Sequence, residues 1–279
     1  MHVQSVDYKS LNASKDFKES ICSTGFAVIA NHPIDQDLIF KTFDEWKQFY
    51  ASDEKLSYVF DPKDQAGYFP FRSENAKDAV FKDLKEFYHF YTWWKNPQSI
   101  CRYTSVLRQQ LVALATTLLD WIETETPIEI SKKFSMPLSK MIQESPQTLL
   151  RTIHYPPLDG SEKEGEVRAG AHEDINLITL LPSATAPGLQ VLDLQGRWHE
   201  VPCDPGTIVV NSGDMLKEAS NGYYPSTTHR VVNPKGADAR ISRYSIPLFL
   251  HPRSDVRLSQ KHTAGSYLDE RLRELGLKK

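Results

Sequence analysis

After about residue 145 the chain breaks into short runs of β-type residues separated by Pro, Gly and other turn formers: TLLRTIHY, EVRAGAH, NLITLLP, GLQVLD, RWHEVP, TIVVNSGD, STTHRVVN and ISRYSIPLFLH. Strands this short and this closely spaced, joined by turns, argue against alternating β-α units with a parallel sheet and predict an antiparallel sandwich or barrel. A double-sheet jelly roll satisfies that pattern.

The residues before this region read differently. DFKESICSTG closes like a helix on Gly25, and TGFAVIANHP has the composition of a short strand stopped by Pro33. In PIDQDLIFKTFDEWKQFYAS, Asp35 is placed to cap a helix whose Leu38, Ile39, Phe43, Trp46, Phe49 and Tyr50 recur at the helical period. Residues 59–79 mix turn formers with aromatics and no clear period, so a loop bordering a site is expected there. SVLRQQLVALATTLLDWIE is the clearest amphipathic helix, with Val106, Leu107, Leu111, Leu114, Leu118 and Trp121 as packing residues. GSYLDERLRELGL predicts a final helix. The expectation is one domain of 279 residues, mainly β with helical additions: a mostly helical part over 1–145, the jelly-roll core over 146–252 and a helical tail over 253–279.

The overall charge excludes one class of partner. With 33 basic and 36 acidic residues spread along the chain, no basic stripe exists to follow a phosphate backbone, so nucleic acid is not expected. No apolar run reaches membrane-spanning length, and MHVQSVDYKS lacks the regions of a signal peptide, which predicts a cytoplasmic protein with no membrane partner. Cys22, Cys101 and Cys203 are odd in number and form no CxxC, which argues against a disulfide framework or a thiolate zinc site and predicts three buried thiols.

The chemistry gathers in RAGAHEDINLITLLPS. His172 and Asp174 are two apart, so on a strand they share a face and can meet one ion from one side. His229, on another predicted strand, can complete the set. Two imidazoles and one carboxylate on one face of a metal, with the opposite positions open, suit a non-haem Fe(II) oxygenase. The same ligand types also serve hydrolytic zinc. Arg243 and Ser245 form a second pair two apart, a guanidinium beside a hydroxyl that could hold a carboxylate inside a barrel. Arg240 and Ser242 have the same spacing on the opposite face. Arg243 is preferred because SIPLFL carries it directly into apolar, core-forming sequence.

Taken together these segments resemble the isopenicillin N synthase-like group of Fe(II)- and 2-oxoglutarate-dependent oxygenases. TGFAVIANHPID and DLKEFYHF are similar to that family's N-terminal motifs, with Pro33 where Gly is commoner. LLRTIHYPP, GAHEDINLITLLP, GLQVLD, VVNSGDMLKEASNGYYPSTTHRVVNP and RYSIPLFLHP follow in the family's order. The resemblance implies a double-stranded β-helix with N-terminal helices packed against it. It implies His172, Asp174 and His229 as iron ligands, Arg243 and Ser245 as the clamp on the distal carboxylate of 2-oxoglutarate, and Tyr155 as a further contact to that co-substrate. Ile153 stands where plant members usually carry Asn. Asn211 and Asp214 are read as turn and fold determinants, and Arg230 as structural.

The implied activity is a dioxygenase that consumes O2, oxidises and by default hydroxylates a small molecule, and releases succinate and CO2, with ascorbate as an optional reductant. Two alternatives stand beside it: an iron oxidase of the same fold that uses no 2-oxoglutarate, and a non-catalytic metal-binding jelly roll. The substrate pocket is expected between the N-terminal part, the loop around residues 64 to 75 and the strands facing the metal. Phe69, Phe71, Arg72, Phe87 and Tyr91 are weighed there as lining residues against core packing.

Overall fold

Every β-type run forms a strand in the computed structural model, which describes residues 3–74, 80–274 and 276, and the last run, broken at Pro247, forms two. Ahead of them come β1 (Ser5–Asp7), α1 (Ala13–Thr24), β2 (Phe26–Ala30), α2 (Gln36–Ala51), β3 (Gly67–Phe69), β4 (Glu86–Phe90), α3 (Cys101–Glu125) and two single-turn helices, α4 (Ile128–Ser131) and α5 (Leu138–Met141). The runs themselves give β5 (Leu149–Tyr155), β6 (Ala169–His172), β7 (Ile178–Pro182), β8 (Leu189–Leu192), β9 (Trp198–Glu200) and β10 (Ile208–Ser212). After a short helix α6 (Asp214–Ala219) come β11 (His229–Val231), β12 (Arg243–Ser245) and β13 (Leu248–Leu250), and α7 (Ala264–Glu274) follows.

The strands divide into two sheets. The larger runs β1-β2-β10-β7-β13-β5-β4-β3, with β12 also on β5, and the smaller runs β6-β11-β8-β9. Apart from the parallel pair β1 and β2, the strand pairings are antiparallel. The fold is therefore mainly β with helical additions, and its core is a jelly roll.

Strand alternation sorts the apolar side chains into two layers. One set faces inward between the sheets: Val28, Phe87, Ile153 and Val209 of the larger sheet meet Ala169, Leu189, Val191 and Val231 of the smaller. The other set, including Ala27, Ile29, Tyr88, Leu150, Leu180 and Val210, faces outward and is covered by helices α1, α2 and α3. At roughly 1.5–3 kcal/mol for each fully buried large aliphatic or aromatic side chain, the helical layer is a principal source of stability.

The helices form where their periodicity places them. The Asp35 carboxylate accepts from the Asp37 amide at 3.0 Å and caps α2, whose Ile39, Phe43, Trp46, Phe49 and Tyr50 are buried. In α3, Leu107, Leu111, Leu114 and Leu118 are buried, but Val106 is 44% exposed, because adjacent helical residues point about 100° apart and Leu107 takes the core position. Gly25 ends α1 at φ 74°, and a Cβ there would stand 2.3 Å from Thr227 Oγ1. Only glycine allows that contact between α1 and the segment leading into β11.

Two expectations need correction. The stretch 59–79 is not wholly loop: β3 lies within it and pairs with β4, Tyr68 opposite Tyr88. Three residues are too few to show a period of two, and positions 75–79 fall outside the described residues. The three cysteines are free but half-buried instead of buried. No helix among the described residues is long and apolar enough to cross a membrane.

Candidate metal centre

β6 ends on His172 and β11 begins on His229, and antiparallel pairing sets the two residues opposite each other with ring centroids 4.4 Å apart. Asp174 lies beyond the end of β6, so alternation along one strand does not bring it to His172. A loop does. The turn from β10 into α6 holds that loop by its backbone: Asp214 N donates to Asp174 O at 2.7 Å and Met215 N to Ile175 O at 3.2 Å. Gly213 sits between these contacts, where a Cβ would meet Asn176 O at 2.3 Å and Asp174 O at 2.8 Å.

Asp174 Oδ1 stands 3.9 Å from His172 Nε2 and 3.8 Å from His229 Nε2. One ligand atom from each of the three residues lies within 4.8 Å of the others, a grouping that could hold a metal ion. The remaining atoms of each side chain are spoken for. His172 Nδ1 donates to Gly170 O at 2.8 Å and His229 Nδ1 to Thr227 O at 3.1 Å, which fixes the tautomer that leaves both Nε2 lone pairs free. Asp174 Oδ2 accepts from Thr179 Oγ1 and, at 2.8 Å, from Asn211 Nδ2.

The electrostatics suit a cation. Burial and the neighbouring His229 oppose protonation of His172 and lower its pKa to about 4. Burial alone would raise the Asp174 carboxyl, but the two imidazoles and the bonds from Asn211 and Thr179 outweigh it and hold it below its ordinary value. At neutral pH the ring of His172 is neutral and the carboxylate is charged, as ligation requires.

A second group lies on the large sheet. β12 pairs with β5 so that Arg243 faces Tyr155 and Ser245 faces Ile153, and all four are buried. Arg243 Nε donates to Ala186 O at 2.9 Å, and the guanidinium carbon lies 5.0 Å from the Tyr155 ring centre. Its Nη1 is buried with no hydrogen-bond partner among the described residues. A buried, unpaired guanidinium nitrogen is costly, and a carboxylate is the group whose geometry satisfies it. Arg240 is exposed and Ser242 Oγ contacts His154 Nε2 at 3.0 Å, so the alternative pair is turned away.

Arg230 Nε donates to Gln190 at 3.0 Å and its guanidinium stacks 3.9 Å from the Trp198 ring centre, a structural role. Of the residues weighed as pocket lining, Phe69 and Phe87 stack on each other in the core between the sheets, centroids 4.4 Å apart. Phe71 is exposed, and Arg72 pairs with Glu166 at 3.1 Å.

Sequence reasoning misplaced Asn211 and overlooked Thr179. Asn211 is not merely a turn former: it is register partner to Thr179 across β10 and β7, and both reach the ligand carboxylate. The available signal was alternation, which sends both polar side chains to the inner face of otherwise apolar strands.

A jelly roll that gathers two imidazoles and one carboxylate on one side of a common point is the scaffold of a facial-triad metal enzyme. The comparisons with known proteins agree. Residues 146–252 match the 2OG-Fe(II) oxygenase superfamily, and residues 6–123 match the family described as non-haem dioxygenase in morphine synthesis N-terminal. A 2-oxoglutarate-Fe(II) type oxidoreductase of Aspergillus fumigatus is 30% identical over 267 residues, covering 83% of this chain and 74% of the relative. The crystal structure of a Shewanella oneidensis protein described as an oxygenase superposes with a TM-score of 0.90 at 50% identity, covering 99% of each chain. That of a 2OG-Fe(II) oxygenase family protein from Caulobacter crescentus gives 0.80 at 31%, covering 98% of this chain and 99% of the other. The chain belongs to the 2OG-Fe(II) oxygenase superfamily and is an iron(II)- and 2-oxoglutarate-dependent dioxygenase.

Proposed function

We propose that this enzyme hydroxylates a small organic molecule at the expense of O2 and 2-oxoglutarate, releasing succinate and CO2, with Fe(II) held by His172, Asp174 and His229. The observation that carries the reading is the buried Nη1 of Arg243, a guanidinium nitrogen with no hydrogen-bond partner among the described residues, in the same jelly roll as three side chains that could hold a metal. When bound, the iron and the 2-oxo acid supply the oxidising chemistry; the protein supplies ligation and orientation.

The residues divide the work. His172, Asp174 and His229 would hold the ion, three protein ligands being few enough for co-substrate and dioxygen to bind it as well. Arg243 and Ser245 hold the distal carboxylate, and Tyr155 packs against the Arg243 guanidinium beside it. Ile153, opposite Ser245, walls the co-substrate with an apolar surface where a polar contact is commoner. Ascorbate serves as an optional reductant. The whole chain acts as one catalytic unit, the part before residue 146 supplying strands β1 to β4 to the large sheet and helices that cover its outer face. A cytoplasmic setting is supported by three unpaired thiols.

The test is product analysis. Protein supplied with Fe(II), 2-oxoglutarate and oxygen is expected to form succinate, to stop when the iron is chelated, and to remain inactive with zinc. Arg243→Gln should raise the 2-oxoglutarate concentration required by about tenfold or more. Oxygen consumption that proceeds equally without 2-oxoglutarate would contradict the reading.

A further inference from the structure

Arg168, just ahead of β6, is 1% exposed. Its Nη2 donates to Ile241 O at 3.0 Å, while its Nε is buried with no hydrogen-bond partner among the described residues. The guanidinium carbon lies 5.9 Å from the centre of the Tyr155 ring, the same ring that Arg243 approaches to 5.0 Å. Two buried guanidiniums therefore share one aromatic ring, each with an unsatisfied nitrogen, and neither forms an ion pair with a carboxylate among the described residues.

Like charges placed together out of water repel, and burial followed by the proximity of Arg243 lowers the Arg168 pKa to about 10. With no carboxylate paired to either guanidinium among the described residues, an anionic ligand would balance the two cations. Arg243 alone accounts for one fork around a carboxylate; the Nε of Arg168 adds a donor from the segment that leads into β6.

We propose that Arg168 is a second cationic contact for the distal carboxylate of the 2-oxo acid, and that it makes the site selective for dicarboxylic over monocarboxylic 2-oxo acids. The inference rests on the reading that 2-oxoglutarate occupies the space beside Arg243.

The experiment is calorimetric titration of the Mn(II)-loaded protein, which needs no turnover, with 2-oxoglutarate and with pyruvate, which keeps the chelating end but lacks the distal carboxylate. The ligand-induced rise in Tm is a second readout. In Arg168→Met the Kd for 2-oxoglutarate should rise about tenfold or more, while that for pyruvate stays within about twofold of the wild type. Arg168→Lys, which keeps the charge and loses the fork, should fall between the two, and it decides the question if the Met variant does not unfold cooperatively. Unchanged 2-oxoglutarate affinity overturns the proposal. So does an equal loss for both acids, which marks a structural role. Failure of the wild type to bind 2-oxoglutarate at all sinks the co-substrate reading itself, a result distinct from either.

Discussion

Asn211 and Thr179 are register partners on neighbouring strands, and both donate to the same oxygen of Asp174, Oδ2, leaving Oδ1 turned toward the two imidazoles. The carboxylate is thus oriented by a cross-strand pair instead of by its own loop. Asn211→Ala should therefore lower Fe(II) affinity by about ten- to a hundredfold while the fold survives, since outer partners of a metal ligand act on its orientation and charge. Competition against a chelator of known affinity, with thermal unfolding of the apo protein as control, measures this. An unchanged affinity would remove Asn211 from the site.

Gly213 is needed for closeness and not for an unusual dihedral. Gly213→Ala would force a methyl against the carbonyls of Asn176 and Asp174, which are held to the start of α6 by backbone bonds. A loss of about 1–3 kcal/mol in denaturant unfolding is expected, with weakened metal binding because the displaced loop carries the ligand. Full stability in the variant would show that the loop can yield.

Acid should destabilise the protein through His89. Its ring is buried, accepts from Arg151 Nε at 2.9 Å and has its pKa lowered to about 3, first by burial and then by that guanidinium. The unfolded chain binds a proton near pH 6.5 that the folded site refuses. Stability is therefore retained above about 6.5 and declines as pH falls toward 3, with a slope from this group of at most about 1.4 kcal/mol per pH unit. Urea midpoints between pH 7 and 5 should fall less steeply in His89→Gln, whose amide can still accept from Arg151. Equal slopes would contradict the assignment.

The helical layer should matter to stability and not to chemistry. Leu118 is fully buried in α3, so Leu118→Ala is expected to cost about 2–5 kcal/mol in unfolding free energy. Metal affinity at a temperature where the variant remains folded should match the wild type.

Much of this was legible beforehand, for physical reasons. Asp35 is a local cap, the α3 leucines repeat over several turns, and the β-type runs are bracketed by turn formers, so neighbouring residues alone suffice to place them. The pair His172 and Asp174, with His229, was readable by residue type, although a loop and not strand alternation brings Asp174 in. What stayed hidden depends on distant partners. β3 exists because β4 lies beside it, Gly213 because the chain from 174 to 176 crosses it, and Asn211 gains its role only once β10 pairs with β7. Arg168 carries no signal of its own in the sequence, because its neighbours Tyr155, Ile241 and Arg243 come from distant parts of the chain.

The most direct test of the central claim is an anaerobic titration of the apo protein with Fe(II) and then 2-oxoglutarate, followed by visible absorption. A triad that leaves half the coordination sphere open predicts one iron per chain and a charge-transfer band that appears only when the 2-oxo acid is added, absent in His172→Ala. A band of undiminished strength in that variant, or none in the wild type at saturating iron and 2-oxoglutarate, would contradict it.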